Sequence, residues 1–365
     1  MKLKKFFAGV LAAAMMLTVG ATAAFATNTT DTTNSMIVAD GNGVANATLT
    51  KKLVVAEGIA PQSMTFKFTV GAGQADAAKS VKAGTVGEGF EQPSVTFRKT
   101  GNEQFIVNTY SQNFNIDLVK LLGNNYNKVG KYAYTISEDD TMIPGITKDN
   151  RTLKMIITVV NKTSENLDYN TGYGYYVGLF NQDGSKADDF TNTYNSYSLE
   201  VKKTVQGNFG DLGDTFTFYI TLGGADGKDN NYASATVTVS DAANAANGKT
   251  WTIDGGAQSV TLKHGQIITV SNLPVGVTYT VTEKKTNDDG TAWVYDTTGE
   301  AVAINDVLPS ITANNNENKV EIVNKHEGTP DMGVVLDNAP YIAMLAIVAI
   351  GGVALMLNKR RRDEE

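Results

Sequence analysis

From residue 48 onward, apolar and polar residues alternate in short runs. Thr65-Phe66-Lys67-Phe68-Thr69-Val70 and Thr215-Phe216-Thr217-Phe218-Tyr219-Ile220 keep a strict period of two. That period sends successive side chains to opposite faces and marks half-buried β-strands. Asp183-Gly184 and Asp289-Gly290 are turn signals between such runs. Gly172-Tyr173-Gly174 with Gly178 does not fit a dinucleotide loop and reads as part of a Tyr-rich strand pair. Only 117–122 and 240–246 look locally helical. Many short strands of antiparallel type predict an all-β fold built from β-sandwiches.

The chain repeats itself weakly. Leu49-Thr50-Lys51-Lys52-Leu53 opens the first half, and Val201-Lys202-Lys203-Thr204-Val205 opens the second. Tyr134-Thr135-Ile136-Ser137-Glu138 matches Tyr279-Thr280-Val281-Thr282-Glu283, and Phe190-Thr191-Asn192 matches Ile322-Val323-Asn324. The order Lys, Glu, Asn is the same in both. This predicts two tandem domains of one architecture, 47–194 and 195–327, with the boundary near 195–198. Residues 27–46, rich in Thr, Asn, Gly and Asp, read as a flexible leader.

Phase along a strand decides burial. Leu49, Lys51, Leu53 and Val55 share a face, as do Leu199, Val201, Lys203 and Val205. Glu138 is in phase with Tyr132, Tyr134 and Ile136, and Glu283 with Val277, Tyr279 and Val281. Asn192 aligns with Phe190, and Asn324 with Val320 and Ile322. Each domain thus carries one Lys, one Glu and one Asn where core residues belong. Phase selects Lys51 over Lys52 and Lys203 over Lys202, and a bulge would reverse either choice.

Desolvation lowers the pKa of a buried Lys and raises that of a buried Glu. A neutral amine is a nucleophile, and a protonated carboxyl group can polarise a carbonyl. Attack of Lys on the Asn amide carbon with loss of ammonia would give an intramolecular isopeptide bond, with Glu shuttling protons. Packing supplies the proximity such a slow reaction needs.

The two ends carry address signals. Lys2, Lys4 and Lys5 precede an apolar run at 6–19 and an Ala24-Phe25-Ala26 cleavage site, so 1–26 reads as a signal peptide. At the other end, 328–365 holds Thr329-Pro330-Asp331-Met332-Gly333, an apolar stretch at 339–357 and basic residues at 359–362. The stretch predicts a membrane-spanning helix with its basic tail inside. Pentapeptide, hydrophobic helix and basic tail in that order resemble the cell-wall sorting signal of Gram-positive bacteria, LPXTG. Pro330 and Gly333 match it, while Thr329 and Met332 stand for its Leu and Thr. The resemblance implies cleavage between Met332 and Gly333.

Composition narrows the chemistry. The formal charge is −7, and an acidic chain is a poor partner for nucleic acid. There is no cysteine, so disulfides, thiolate metal sites and cysteine nucleophiles are excluded. Two histidines, His264 and His326, are too few for a His-based metal cluster. Asp139-Asp140 and Asp188-Asp189 read as solvated loop acids. No metal or cofactor site is expected, and no nucleophile–base–orienter set of an enzyme is visible.

The repeated Lys, Tyr-x-x-x-Glu and Phe/Ile-x-Asn elements resemble the self-crosslinking triads of Gram-positive pilins. The overall plan is similar to the streptococcal T-antigen-type major shaft pilins. The resemblance implies Ig-like, Cna B-type domains and the cross-links Lys51–Asn192 and Lys203–Asn324, promoted by Glu138 and Glu283. It implies a shaft subunit, secreted and attached to the cell wall. A class C-type sortase would polymerise it and a housekeeping sortase would anchor it to peptidoglycan. Its partners would be neighbouring copies of itself, with tip and base pilins also in view. The family's linking lysine lies shortly before the first closing Asn, a place held here by Lys186, with Lys148 and Lys162 in reserve. The alternative is an adhesin of the same domains, anchored singly to the wall.

Overall fold

The computed structural model describes residues 36–161, 172–228, 232, 234–287, 289–330 and 339–362. The expected signal peptide and Lys162 lie outside these residues. Up to the middle of the chain run β1 (Ile37–Val38), β2 (Asn46–Glu57), β3 (Ser63–Ala72), β4 (Val81–Ala83), β5 (Ser94–Arg98) and β6 (Asn108–Asp117). Then follow α1 (Leu118–Leu122), β7 (Gly130–Glu138), β8 (Ile146–Thr147), β9 (Thr152–Asn161), β10 (Tyr173–Phe180) and β11 (Asp189–Gln206). Beyond it come β12 (Phe216–Ala225), β13 (Ala235–Val239), β14 (Thr250–Trp251), β15 (Ala257–Leu262), β16 (Ile267–Pro274), β17 (Val277–Glu283), β18 (Asp296–Thr298) and β19 (Lys319–Lys325). Helix α2 (Ala339–Arg362) follows.

The first half is a sandwich. Strands β1-β10-β9-β7-β3-β5 form one sheet, with β4 added on β7. The opposing layer places β2 between β6 and the start of β11. The alternation read from the sequence is the reason: β3 buries Met64, Phe66, Phe68 and Val70 and exposes the residues between Met64 and Val70. Phe68 stacks on Phe114 of the other layer at 4.4 Å between ring centres and meets Phe190 at 5.0 Å. The second half packs β14-β13-β16-β11-β19-β18 against β15-β12-β17 around its own core.

Strand β11 serves both halves. Residues 189–195 pair in parallel with β2, while 200–206 pair in parallel with β19 and 196–202 antiparallel with β16. The expected boundary at 195–198 therefore falls inside a continuous strand. A register shift between Tyr197 and Leu199 marks the change of partner. It moves the buried positions from even numbers (Phe190, Asn192, Tyr194) to odd ones (Val201, Lys203, Val205). Without that slip Asn192 and Lys203 would face opposite sides.

Three expectations are corrected. Residues 240–246 form turns and bends rather than a helix. Asp241 and Asn244 capture the amides of Ala243 and Ala246 with their side chains, which competes with helical bonding. The expected leader contributes strand β1, paired with β10, and buries Ile37 and Ala45. The strands are not all antiparallel, because β2 lies parallel to β11, β11 to β19, and β4 to β7. The helix expected at 117–122 forms as α1, capped by Asp117, whose carboxylate accepts from the amides of Val119 and Lys120. Among the described residues no helix is long and apolar enough to cross a membrane.

Candidate functional site

The parallel closure brings distant residues into one register. Lys51 lies opposite Phe190, two residues before Asn192 on the same face of β11. Lys203 lies opposite Ile322, two residues before Asn324. The glutamates come from the facing sheets, where Glu138 pairs with Phe68 and Glu283 with Phe218. Both halves thus use one geometric plan: Lys and Asn on adjacent strands of one layer, Glu reaching from the other.

Lys51, Asn192, Lys203 and Asn324 are fully buried, and the side chains of Glu138 and Glu283 are too. Among the described residues these six make up most of the buried polar and charged set. Lys52 and Lys202 point outward to Asp189 and Glu321. In the first site the ammonium of Lys51 donates to Glu138 Oε2 at 2.6 Å. Asn192 Nδ2 donates to Glu138 Oε1 at 2.5 Å. One carboxyl group therefore bridges the amine and the amide nitrogen. In the second site Lys203 lies 3.2 Å from Glu283 Oε1, and Asn324 Nδ2 donates to the same oxygen at 2.9 Å.

The surroundings are aromatic. Lys51 Nζ is 5.1 Å from the centre of the Phe66 ring, and Lys203 Nζ is 4.2 Å from that of Phe216. Burial lowers the pKa of both lysines, to about 8 for Lys203, although the neighbouring glutamate pulls the other way. Burial raises both glutamates against the opposing pull of the lysines. Both shifts favour the neutral amine and neutral acid that attack on an amide requires. Reaction would also replace a buried ion pair, costly to desolvate, with a neutral amide.

The two sites differ at the amide oxygen. Asn192 Oδ1 accepts from the backbone amide of Asp149 at 2.8 Å. Asn324 Oδ1 is buried without a hydrogen-bond partner. Asp149, Arg151 and Thr191 around the first site were not legible in the sequence, where 149–151 is an ordinary polar loop. Lys148, a reserve linking lysine, is tied to Asp140 at 2.6 Å and to the backbone oxygen of Glu138 at 3.2 Å.

The remaining expected residues lie apart from these sites. Lys186 is exposed on the connection between β10 and β11, just after the turn closed by Gly184 at φ 85°. Thr329 and Pro330 are exposed beyond β19, and Asp331, Met332 and Gly333 lie outside the described residues. His264 accepts from the amide of Val205 and stands on an exposed turn. Among the described residues no cluster of three or more candidate metal ligands occurs.

Known proteins resemble this chain. Residues 47–195 match the Spy0128-like isopeptide containing domain, and 197–326 match a domain of unknown function, DUF7601. A pilin of Streptococcus pyogenes serotype M1 is 32% identical over 249 residues, covering 64% of this chain and 69% of that protein. The crystal structure of the major pilin from Streptococcus pyogenes superposes with a TM-score of 0.54 at 22% identity, over 78% of this chain and 99% of that one. The major pilin T3.2 of the same species gives 0.52 at 24% identity, over 78% and 98%. On the serotype M1 relative, the chain belongs to the pilin family.

Proposed function

We propose that this chain is the shaft subunit of a covalent pilus on a Gram-positive cell surface, stabilised by two intramolecular isopeptide bonds. The observation that carries the self-crosslinking is the pair of fully buried Lys–Glu–Asn triads at equivalent register positions. In each, the neutral lysine amine attacks the Asn amide carbon. The glutamic acid takes the amine's proton and delivers one to the departing nitrogen. The products are a Lys–Asn amide and ammonia. Both halves are then Cna B-type, Ig-like domains, 47–194 and 195–327.

Export by 1–26 and sorting by 328–365 complete the reading. The 328–365 segment would present the precursor to a class C-type sortase, which would cleave between Met332 and Gly333. Lys186 of a second copy would then take the acyl group at Met332. Housekeeping sortase would attach the finished polymer to peptidoglycan, with tip and base pilins as further partners. Tension between Lys186 and Met332 would follow the backbone to Lys203, cross to Asn324 and leave by the tail. The chain between 203 and 324 would carry no load.

Coexpression of the full chain with a class C-type sortase tests the shaft reading. Detergent-resistant ladders on extracted walls are expected, and Lys186→Arg should reduce them to a single band. A single band from the unmodified chain would favour the singly anchored adhesin.

A further inference from the structure

Asp149 sits against the first triad without belonging to it. Its carboxylate is largely buried and accepts four hydrogen-bonding groups. Arg151 donates from Nε at 3.0 Å, from Nη2 at 2.7 Å and from its backbone amide at 3.0 Å. The amide of Thr191 donates at 2.9 Å. Arg151 Nη2 also donates to the backbone oxygen of Asp189 at 2.5 Å. The loop at 149–151 is thereby fastened to β11 on both sides of Phe190. This fastening aims the Asp149 amide at Asn192 Oδ1, 2.8 Å away.

Orientation gives that contact a chemical meaning. Asn192 Nδ2, the leaving nitrogen, faces Glu138, so its Oδ1 must face the other way. When Lys51 Nζ bonds to the amide carbon, the C=O π pair moves onto Oδ1. The oxygen becomes negative until the C–N bond breaks and ammonia leaves. A fixed donor at the place where charge develops stabilises that step and costs no reorganisation. The second site lacks this donor, since Asn324 Oδ1 has no partner.

We propose that Asp149 is a positioning residue for the first cross-link: its side chain, clamped by Arg151 and Thr191, holds its own N–H on Asn192 Oδ1 as an oxyanion donor. The inference rests on the self-crosslinking reading. The second triad, without such a donor, is an internal control within the same molecule.

Cell-free synthesis of the two-domain chain, acid quenching at intervals and mass mapping of the 51–192 and 203–324 peptides time each closure. Losing one oxyanion donor typically costs about 100- to 1000-fold. Loosening it through Asp149→Ala should slow the 51–192 closure by roughly 10- to 100-fold and leave the 203–324 closure unchanged. Asp149→Asn keeps an acceptor for the Thr191 amide and should restore much of the rate. Hydrogen exchange of β2 and β11 should be unchanged, which a purely structural role would not allow. Arg151→Gln keeps Asp149 but removes its forked partner, and should slow the first closure alone should the alanine variant fail to fold. Wild-type rates at 51–192 in both Asp149→Ala and Arg151→Gln would overturn the proposal. Absence of both cross-links in the unmodified chain would instead overturn the self-crosslinking reading.

Discussion

Replacing Glu138 with Gln keeps the shape of the first triad and removes its proton carrier. Lys51 would then stay an amine, buried among Phe66 and its neighbours, with Asn192 intact. The missing bond would have closed a loop of about 140 residues, for which chain entropy gives roughly 5 kcal/mol of stabilisation. Lys51, left as an unreacted amine in an apolar core without its carboxylate, must give up its charge or stay uncompensated, so the lysine left behind adds to the loss. At about 2–4 °C per kcal/mol for a unit of this size, the first half should melt at least roughly 10–20 °C lower. Calorimetry should show that shift in the first half while the second keeps its transition. Intact mass should fall short of the variant's own sequence by one ammonia rather than two. A two-ammonia deficit in Glu138→Gln would refute the role of Glu138. A full deficit in the second half with no loss of first-half stability would refute the energetic estimate.

Further outcomes follow from the same geometry. Lys52→Met and Lys202→Met should keep both cross-links, because those lysines face Asp189 and Glu321 at the surface; peptide mapping checks this. Asn324→Ala leaves Lys203 unreacted, with a folded pKa of about 8 against the ordinary 10.5. The unfolded chain then binds more protons between those values, so stability should rise as pH increases from about 8 toward 10.5. Melting scans of this variant at pH 7.5 and 9.5, compared with the cross-linked chain, test the sign; a fall with pH relative to that chain would contradict it. Lys186→Arg should abolish polymerisation and leave the intact mass deficit unchanged. A ladder persisting in that variant would move the linkage to another lysine.

The triads were legible because strand alternation is strict around them. A lysine between Leu49 and Leu53, or between Val201 and Val205, has its burial fixed by the two-residue period. The register slip at Tyr197–Leu199 lies between Asn192 and Lys203, so each local phase could be read without knowing of it. Other features depend on long-range pairing and were not visible. The continuity of β11 comes from an exchange of partners, not from a local signal. Strand β1 is two residues long and exists through its pairing with β10. The 240–246 segment has helix-like spacing, but Asp241 and Asn244 spend their side chains on turns. The Asp149 donor is a backbone group, and sequence does not record where a backbone amide points.

The intact mass of residues 27–332 after folding decides whether the chain crosslinks itself twice. Each Lys–Asn bond expels one ammonia of roughly 17 Da, a covalent change that the sequence does not encode. A deficit of about 34 Da is expected, with the two bonds mapped to Lys51–Asn192 and Lys203–Asn324. The full sequence mass would contradict it and leave the buried lysines as ion-paired core residues.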